Sequence, residues 1–97
     1  MIFISLKTTK ILTLQQEIQI KNSLQSLFLE QLKEKTMIQI EDNQLIYFDD
    51  EETDCVLIKC YFEIKENSIK DRILRIIESI TAIPLSHQKL IIIKNIL

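Results

Sequence analysis

The 97-residue chain contains no glycine. At average usage about seven would be present, so the absence carries information. It excludes sites built on glycine loops: the phosphate-cradling P-loop, the dinucleotide-binding turn and the strained nucleophile elbow. Tryptophan is also missing, and alanine, valine and proline occur once each. Twenty isoleucines and thirteen leucines take their place. Residues with AT-rich codons dominate, and an AT-rich coding sequence accounts for that bias. No apolar run reaches the ~18 residues a bilayer span needs. The opening Met1-Ile2-Phe3-Ile4-Ser5-Leu6-Lys7 lacks the basic head and long apolar core of a signal peptide. A soluble, intracellular single domain over residues 1–97 is expected, its compartment unspecified.

Positive charge is ordinary in amount but nowhere concentrated. The net charge is −2, with no densely basic stretch, so the cationic face that nucleic acid requires is not expected. Five of the fourteen acids lie in one run, Asp49-Asp50-Glu51-Glu52-Thr53-Asp54. Without that run the chain is net positive. The run reads as a solvated loop, with a docking patch for a basic partner or a cation site as the sharper alternatives.

Cys55 and Cys60 lie five apart in an expected strand. That odd offset points them to opposite faces, roughly 16 Å apart, beyond the ~7 Å reach of a disulfide. His87 is the single histidine, so a zinc site of cysteine and histidine is not expected. His87 itself reads as a solvated loop residue, because no nucleophile or orienting acid accompanies it locally. Asp49 and Asp50 form an acid pair, but an exposed loop gives little means of tuning them for acid–base work. Neither a cofactor, a metal nor a catalytic residue is expected.

Ile2, Ile4 and Leu6 alternate with Phe3, Ser5 and Lys7 as in a strand. Thr13-Leu14-Gln15-Gln16 is a capping box that opens a helix. Its apolar stripe is read as Leu14, Ile18, Leu24, Leu27, Phe28 and Leu32, widened by Ile20 and Leu29. A strand at Ile38 and Ile40, a turn at Asp42-Asn43 and a return over Leu45 to Phe48 form an expected hairpin. Val56, Ile58, Cys60, Phe62 and Ile64 make one face of the next strand. Asn67 or Ser68 caps a second helix carrying Ile69, Ile73, Ile76, Ile77, Ile80 and Ile83, which Pro84 ends. Leu90 to Leu97 closes the chain as a strand expected to be buried on both faces.

The order β-α-β-β-β-α-β divides into two βαβ pseudo-repeats, residues 2–41 and 56–96, joined by the acidic loop 49–54. The fold class is α+β: a two-layer α/β sandwich with one mixed sheet and both helices on one face. The other sheet face then lacks cover. Phe3, Leu57 and Tyr61, with Ile91 and Ile93 of the closing strand, are its candidate interface residues, and an oligomer or a subunit of a larger assembly follows.

This arrangement resembles the tautomerase superfamily, specifically the macrophage migration inhibitory factor family. The likeness rests on Met1-Ile2-Phe3-Ile4, on Asn43-Gln44-Leu45 followed by Tyr47-Phe48, and on Ile83-Pro84 leading into Leu90-Ile91-Ile92-Ile93. It implies a trimer whose sheets line the centre. It also implies a base, the family's N-terminal proline, that this chain lacks. Ile2 follows Met1, and initiator methionine is usually retained before so bulky a residue. The family's substrate-contacting tyrosine and asparagine would fall at Ile91 and Ile93. Its lysine would fall near Gln31, with Lys33 and Lys35 close by. The stretch around Phe62-Glu63-Ile64 and the Asp49-Asp50 pair also depart from the family pattern. The resemblance therefore implies a catalytically silent relative acting through protein partners. Two alternatives stay open: an active tautomerase using the Met1 amine, Lys33 or Lys35, and a ferredoxin-like binding module, which interleaved strand order would reveal.

Overall fold

A computed structural model describes residues 1–47 and 53–94. The first strand, β1 (Ile2–Thr8), buries Ile2, Ile4, Leu6 and Thr8 on one side and leaves alternate residues half-buried on the other. Helix α1 (Leu14–Leu32) begins with the expected capping box. The Thr13 hydroxyl accepts from the Gln16 amide at 3.1 Å, while the Gln16 side chain accepts from the Thr13 amide at 2.9 Å.

The stripe of α1 differs from the expected one. Its buried residues are Ile20, Leu24, Leu27 and Phe28, spaced as one helix face. Leu14 is 71% exposed and Ile18 and Leu29 are exposed as well. Ile20 thus belongs to the centre of the stripe and Leu14 and Ile18 lie outside it.

Strand β2 (Thr36–Glu41) runs parallel to β1, with Ile4 opposite Ile38 and Leu6 opposite Ile40. Asn43 takes a left-handed turn with φ 52°, as the Asp42-Asn43 reading anticipated. The expected return strand does not follow: residues 44–47 carry no strand, and Phe48 lies outside the described residues. The reason is where the backbone hydrogen bonds go. The Asn43 amide donates to the Lys10 carbonyl just beyond β1 and the Gln44 amide to the Thr8 carbonyl at its end, and the Asp42 carboxylate accepts from the Leu12 amide at 2.9 Å. The chain is drawn towards the end of β1 instead of folding back on β2.

Strand β3 (Val56–Tyr61) pairs antiparallel with β1, and β4 (Gln88–Ile92) pairs parallel with β3. The sheet order is β2-β1-β3-β4. Each half therefore keeps its own parallel pair, and the interleaved order of the ferredoxin-like alternative is not observed. Strand β3 stops at Tyr61, short of the expected Phe62 and Ile64, although Ile64 still buries its side chain from the following loop.

Helix α2 (Asn67–Thr81) is preceded by Glu66 with no side-chain cap, so neither Asn67 nor Ser68 caps it. Ile69, Ile73 and Ile77 are buried and Ile76 and Ile80 pack beside them. Ala82, with φ 62°, ends the helix two residues before Pro84. A single 3-10 turn, Leu85–His87, leads into β4.

Both helices pack on the face carrying Ile2, Ile4, Leu6, Val56, Ile58 and Cys60, forming one core. The architecture is the expected two-layer α/β sandwich with a mixed sheet. Strand β4 departs from expectation in one respect. Leu90, Ile91, Ile92 and Ile93 are each half-buried within the chain, because β4 is an edge strand with a layer on one face only; residues 95–97 lie outside the described residues.

The two halves are tied together by side chains. Gln16 Nε2 donates to the Ile80 carbonyl at 3.1 Å, and Lys10 Nζ donates to the Thr81 carbonyl at 2.6 Å. The Thr8 hydroxyl donates to the Cys55 carbonyl at 3.1 Å, and the Cys55 amide donates to the Thr9 hydroxyl at 3.0 Å.

Candidate functional site

Alternation along each strand places two sets of residues on opposite sheet faces. The helix-free face carries Phe3, Ser5 and Lys7 of β1, Met37, Gln39 and Glu41 of β2, Leu57, Lys59 and Tyr61 of β3, and Lys89 and Ile91 of β4. The register arranges them in cross-strand rows. Met37, Phe3 and Tyr61 adjoin at the end nearest the N-terminus, and the Phe3 and Tyr61 ring centroids lie 5.4 Å apart at 49°. Gln39, Ser5, Lys59 and Ile91 form the middle row, and Glu41, Lys7, Leu57 and Lys89 the far one. The Ile93 amide still donates to the Cys60 carbonyl at 2.8 Å, so Ile93 continues the alternation beside Tyr61.

All five candidate interface residues therefore share one face, but not one unbroken patch. Lys59 separates Leu57 from the aromatic pair, as the alternation of Leu57, Lys59 and Tyr61 along the strand requires. Met37, 54% exposed, belongs to the apolar end and was missed. The alternation Met37, Gln39, Glu41 was its available signal.

The N-terminal corner follows from the β1–β2 register. Ile2 lies opposite Thr36, and its amide donates to the Lys35 carbonyl at 2.8 Å. One residue further out, the Met1 amine meets the Glu34 carboxylate at 2.9 Å. The terminal nitrogen is thus paired with a carboxylate. A cavity of about 260 Å³ adjoins this corner, lined by Gln25, Leu29, Glu34, Lys35 and Thr36. Of the three bases the enzyme alternative names, Lys35 lines it, while Met1 and Lys33 do not. Lys33, exposed, sits in the left-handed turn that closes α1, with φ 56°.

Cys55 and Cys60 are both buried and free, as the strand geometry required. Burial pushes the Cys60 thiol up to about 11, partly offset by its contact with the Phe62 carbonyl. Burial, then the charge of Asp54, raises Cys55 as well, against a lowering hydrogen bond from Thr9. Neither thiol is poised as a nucleophile. Native protein at pH 8 is expected to leave both unlabelled by an aromatic disulfide reagent over minutes, and denaturant to release two equivalents. Rapid native labelling would contradict this. The raised Cys60 value also has a sign for stability. Its contribution is complete below pH 9 and is lost as pH climbs towards about 11, because the unfolded thiol ionises first.

Of the acidic run, Asp49, Asp50, Glu51 and Glu52 lie outside the described residues. Asp54 is exposed and accepts from the Thr9 hydroxyl at 2.9 Å. His87, expected as a solvated loop residue, is half-buried in the 3-10 turn, where its amide donates to the Pro84 carbonyl at 2.9 Å. Among the described residues no group of three or more His, Cys, Asp or Glu side chains could hold a metal ion. No described helix is long and apolar enough to cross a membrane.

No protein-family model and no curated protein matches the chain by sequence. Solved structures match it closely in fold. The MIF2 protein of Leishmania major superposes with a TM-score of 0.87 at 17% identity, over 97% of this chain and 88% of that one. The macrophage migration inhibitory factor of Giardia lamblia gives 0.82 at 12% identity, over 94% and 96%. The macrophage migration inhibitory factor-like protein of Entamoeba histolytica gives 0.81 at 12% identity, over 96% and 87%. The strand order, the paired βαβ halves and these superpositions agree on one point: the chain has the fold of the macrophage migration inhibitory factor proteins.

Proposed function

We propose that the protein is a non-catalytic, tautomerase-like subunit that acts by assembly, as a homo-trimer or within a hetero-complex. The observation that carries the reading is the Met1 amine held by Glu34 at 2.9 Å, outside the wall of the adjoining cavity. A general base must reach the proton it removes, and this nitrogen is turned to its own carboxylate. The positions that the resemblance assigns to substrate-contacting polar side chains hold Ile91 and Ile93, which offer neither donor nor acceptor.

Support for assembly comes from the helix-free face. Phe3, Leu57, Tyr61, Ile91 and Ile93 are left there without a covering layer, and apolar surface of that kind is typical of interfaces. In the resembled family, three such faces surround a common axis. The acidic run Asp49, Asp50, Glu51, Glu52 and Asp54 would offer a basic partner a docking segment.

Phenylpyruvate enol–keto tautomerisation tests the reading, with intact mass confirming that Met1 is retained. Turnover is expected to match buffer alone, both for the natural chain and for Glu34→Gln. Robust turnover abolished by substituting Met1, Lys33 or Lys35 would overturn it in favour of an enzyme. The mass in solution is expected to be three times 11.5 kDa for the homo-oligomer. A chain that stays monomeric, alone and with every co-purified protein, would overturn assembly.

A further inference from the structure

The end of the sheet remote from Met1 holds a second cleft, of about 280 Å³, lined by Lys10, Thr53, Asp54, Ala82, Ile83, Pro84 and His87. It lies where the segment after β1 meets the start of β3 and the end of α2. Three kinds of surface converge there. Lys10 supplies an ammonium, Asp54 a carboxylate, and Ala82 and Pro84 an apolar wall over the buried Ile83.

The two charges share the cleft without neutralising each other. Lys10 Nζ is drawn to the Thr81 carbonyl at 2.6 Å, at the C-terminal end of α2 where a cation is favoured. Asp54 is anchored separately, its Oδ1 accepting from the Thr9 hydroxyl at 2.9 Å. Lys10 and Asp54 make no ion pair with one another. Each anchor uses part of its group's capacity. An ammonium has three donors and a carboxylate about four acceptor positions, so both retain free valence beyond their anchors.

A site with one fixed positive group, one fixed negative group and an apolar wall is complementary to a small zwitterion. We propose that this cleft binds a free α-amino acid with an aliphatic side chain. Lys10 takes its carboxylate, Asp54 its ammonium, and the Ala82–Pro84 wall its side chain. The site is independent of the N-terminal corner and of the reading of that corner as silent.

Two features favour this ligand over a simple anion or cation. A lone anion would gain Lys10 but face Asp54, and a lone cation would meet the reverse, whereas a zwitterion satisfies both at once. Both charged groups are also held by hydrogen bonds near the end of a helix and the start of a strand, Lys10 by the Thr81 carbonyl and Asp54 by the Thr9 hydroxyl, which orders them before binding.

The test is an NMR titration of the full chain with L-valine, alongside isobutylamine and isovalerate, the same skeleton lacking either the carboxylate or the ammonium. L-valine is expected to give saturable amide shifts at Lys10, Thr53, Asp54, Ala82, Ile83 and His87. Each half-molecule should bind at least about tenfold more weakly, the size expected for losing a charge-assisted hydrogen bond. Lys10→Met keeps the aliphatic stem and Asp54→Asn keeps the acceptor for Thr9. Each is expected to weaken valine by a similar factor while the spectrum remains that of the folded chain. Glu34→Gln, at the other end of β1, is expected to leave the titration unchanged. No saturable shift with valine would overturn the proposal. So would isovalerate or isobutylamine binding as well as valine, affinity indifferent to both cleft substitutions, or shifts centred on Glu34.

Discussion

Phe28→Ala is expected to destabilise the protein by about 3–5 kcal/mol, the range for emptying a fully buried aromatic site. Phe28 is fully buried on α1, in the same core as Ile2, Ile4 and Leu24. Truncation removes both its transfer free energy and the contacts its ring makes with neighbours held by the sheet, and a regular helix cannot collapse into the gap. For a chain of this size that corresponds to a fall in Tm of roughly 15–30 °C. The adjacent residue provides the contrast. Leu29 is 56% exposed, and Leu29→Ala is expected to change stability by no more than about 0.5 kcal/mol. Thermal unfolding of the two variants measures the difference directly. Equal effects would mean that α1 presents another face to the sheet.

The opposite sign is expected where glycine is missing. Lys33 and Ala82 close the two helices in the left-handed region, with φ 56° and 62°. That region costs an L-residue with a Cβ roughly 1–2 kcal/mol, and helices commonly place glycine there. Introducing glycine removes that cost but gives the unfolded chain about 0.4–1 kcal/mol of additional freedom. Both side chains are exposed, so little packing is forfeited. The double variant Lys33→Gly/Ala82→Gly is therefore expected to gain about 1–2 kcal/mol, and Tm to rise by roughly 5–15 °C. Asn43, with φ 52°, already has a side chain that tolerates this region. Asn43→Gly should gain less. A double variant no more stable than its parent would show that the two helix ends are not strained.

The same composition explains what could and could not be read from the residues. Alternation in β1, the Thr13–Gln16 box and the isoleucine ladder of α2 are local patterns, and the structure follows them. The stripe of α1 was misplaced because isoleucine and leucine occur so often that Leu14 and Ile18 fit a helical period by abundance alone. Which face wins is decided by the sheet, through Ile20 and Leu24. The expected hairpin failed for a non-local reason. Asp42 bonds to Leu12 and Gln44 to Thr8, and no pattern within residues 38–48 announces either contact.

The candidate sites divide along the same line. The shared face of Phe3, Leu57, Tyr61, Ile91 and Ile93 was legible because strand parity is local. The meeting of Met1 with Glu34 depends on the β1–β2 register, and the approach of Lys10 to Asp54 on the antiparallel pairing of β1 with β3. Both join residues far apart in the chain, and neither carries a spacing signal.

The bonds from Gln16 to Ile80 and from Lys10 to Thr81 have a consequence for how this pseudo-duplicated chain comes apart. The first half supplies what the end of the second helix requires: the carbonyls at the end of α2 are satisfied by residues on either side of the N-terminus of α1. Detaching one βαβ unit would strand those carbonyls as well as break the β1–β3 ladder. Duplication usually suggests modules that can be separated. Here the stitching ties the two βαβ halves to one another, and opening of the core is expected to be a single cooperative event spanning both.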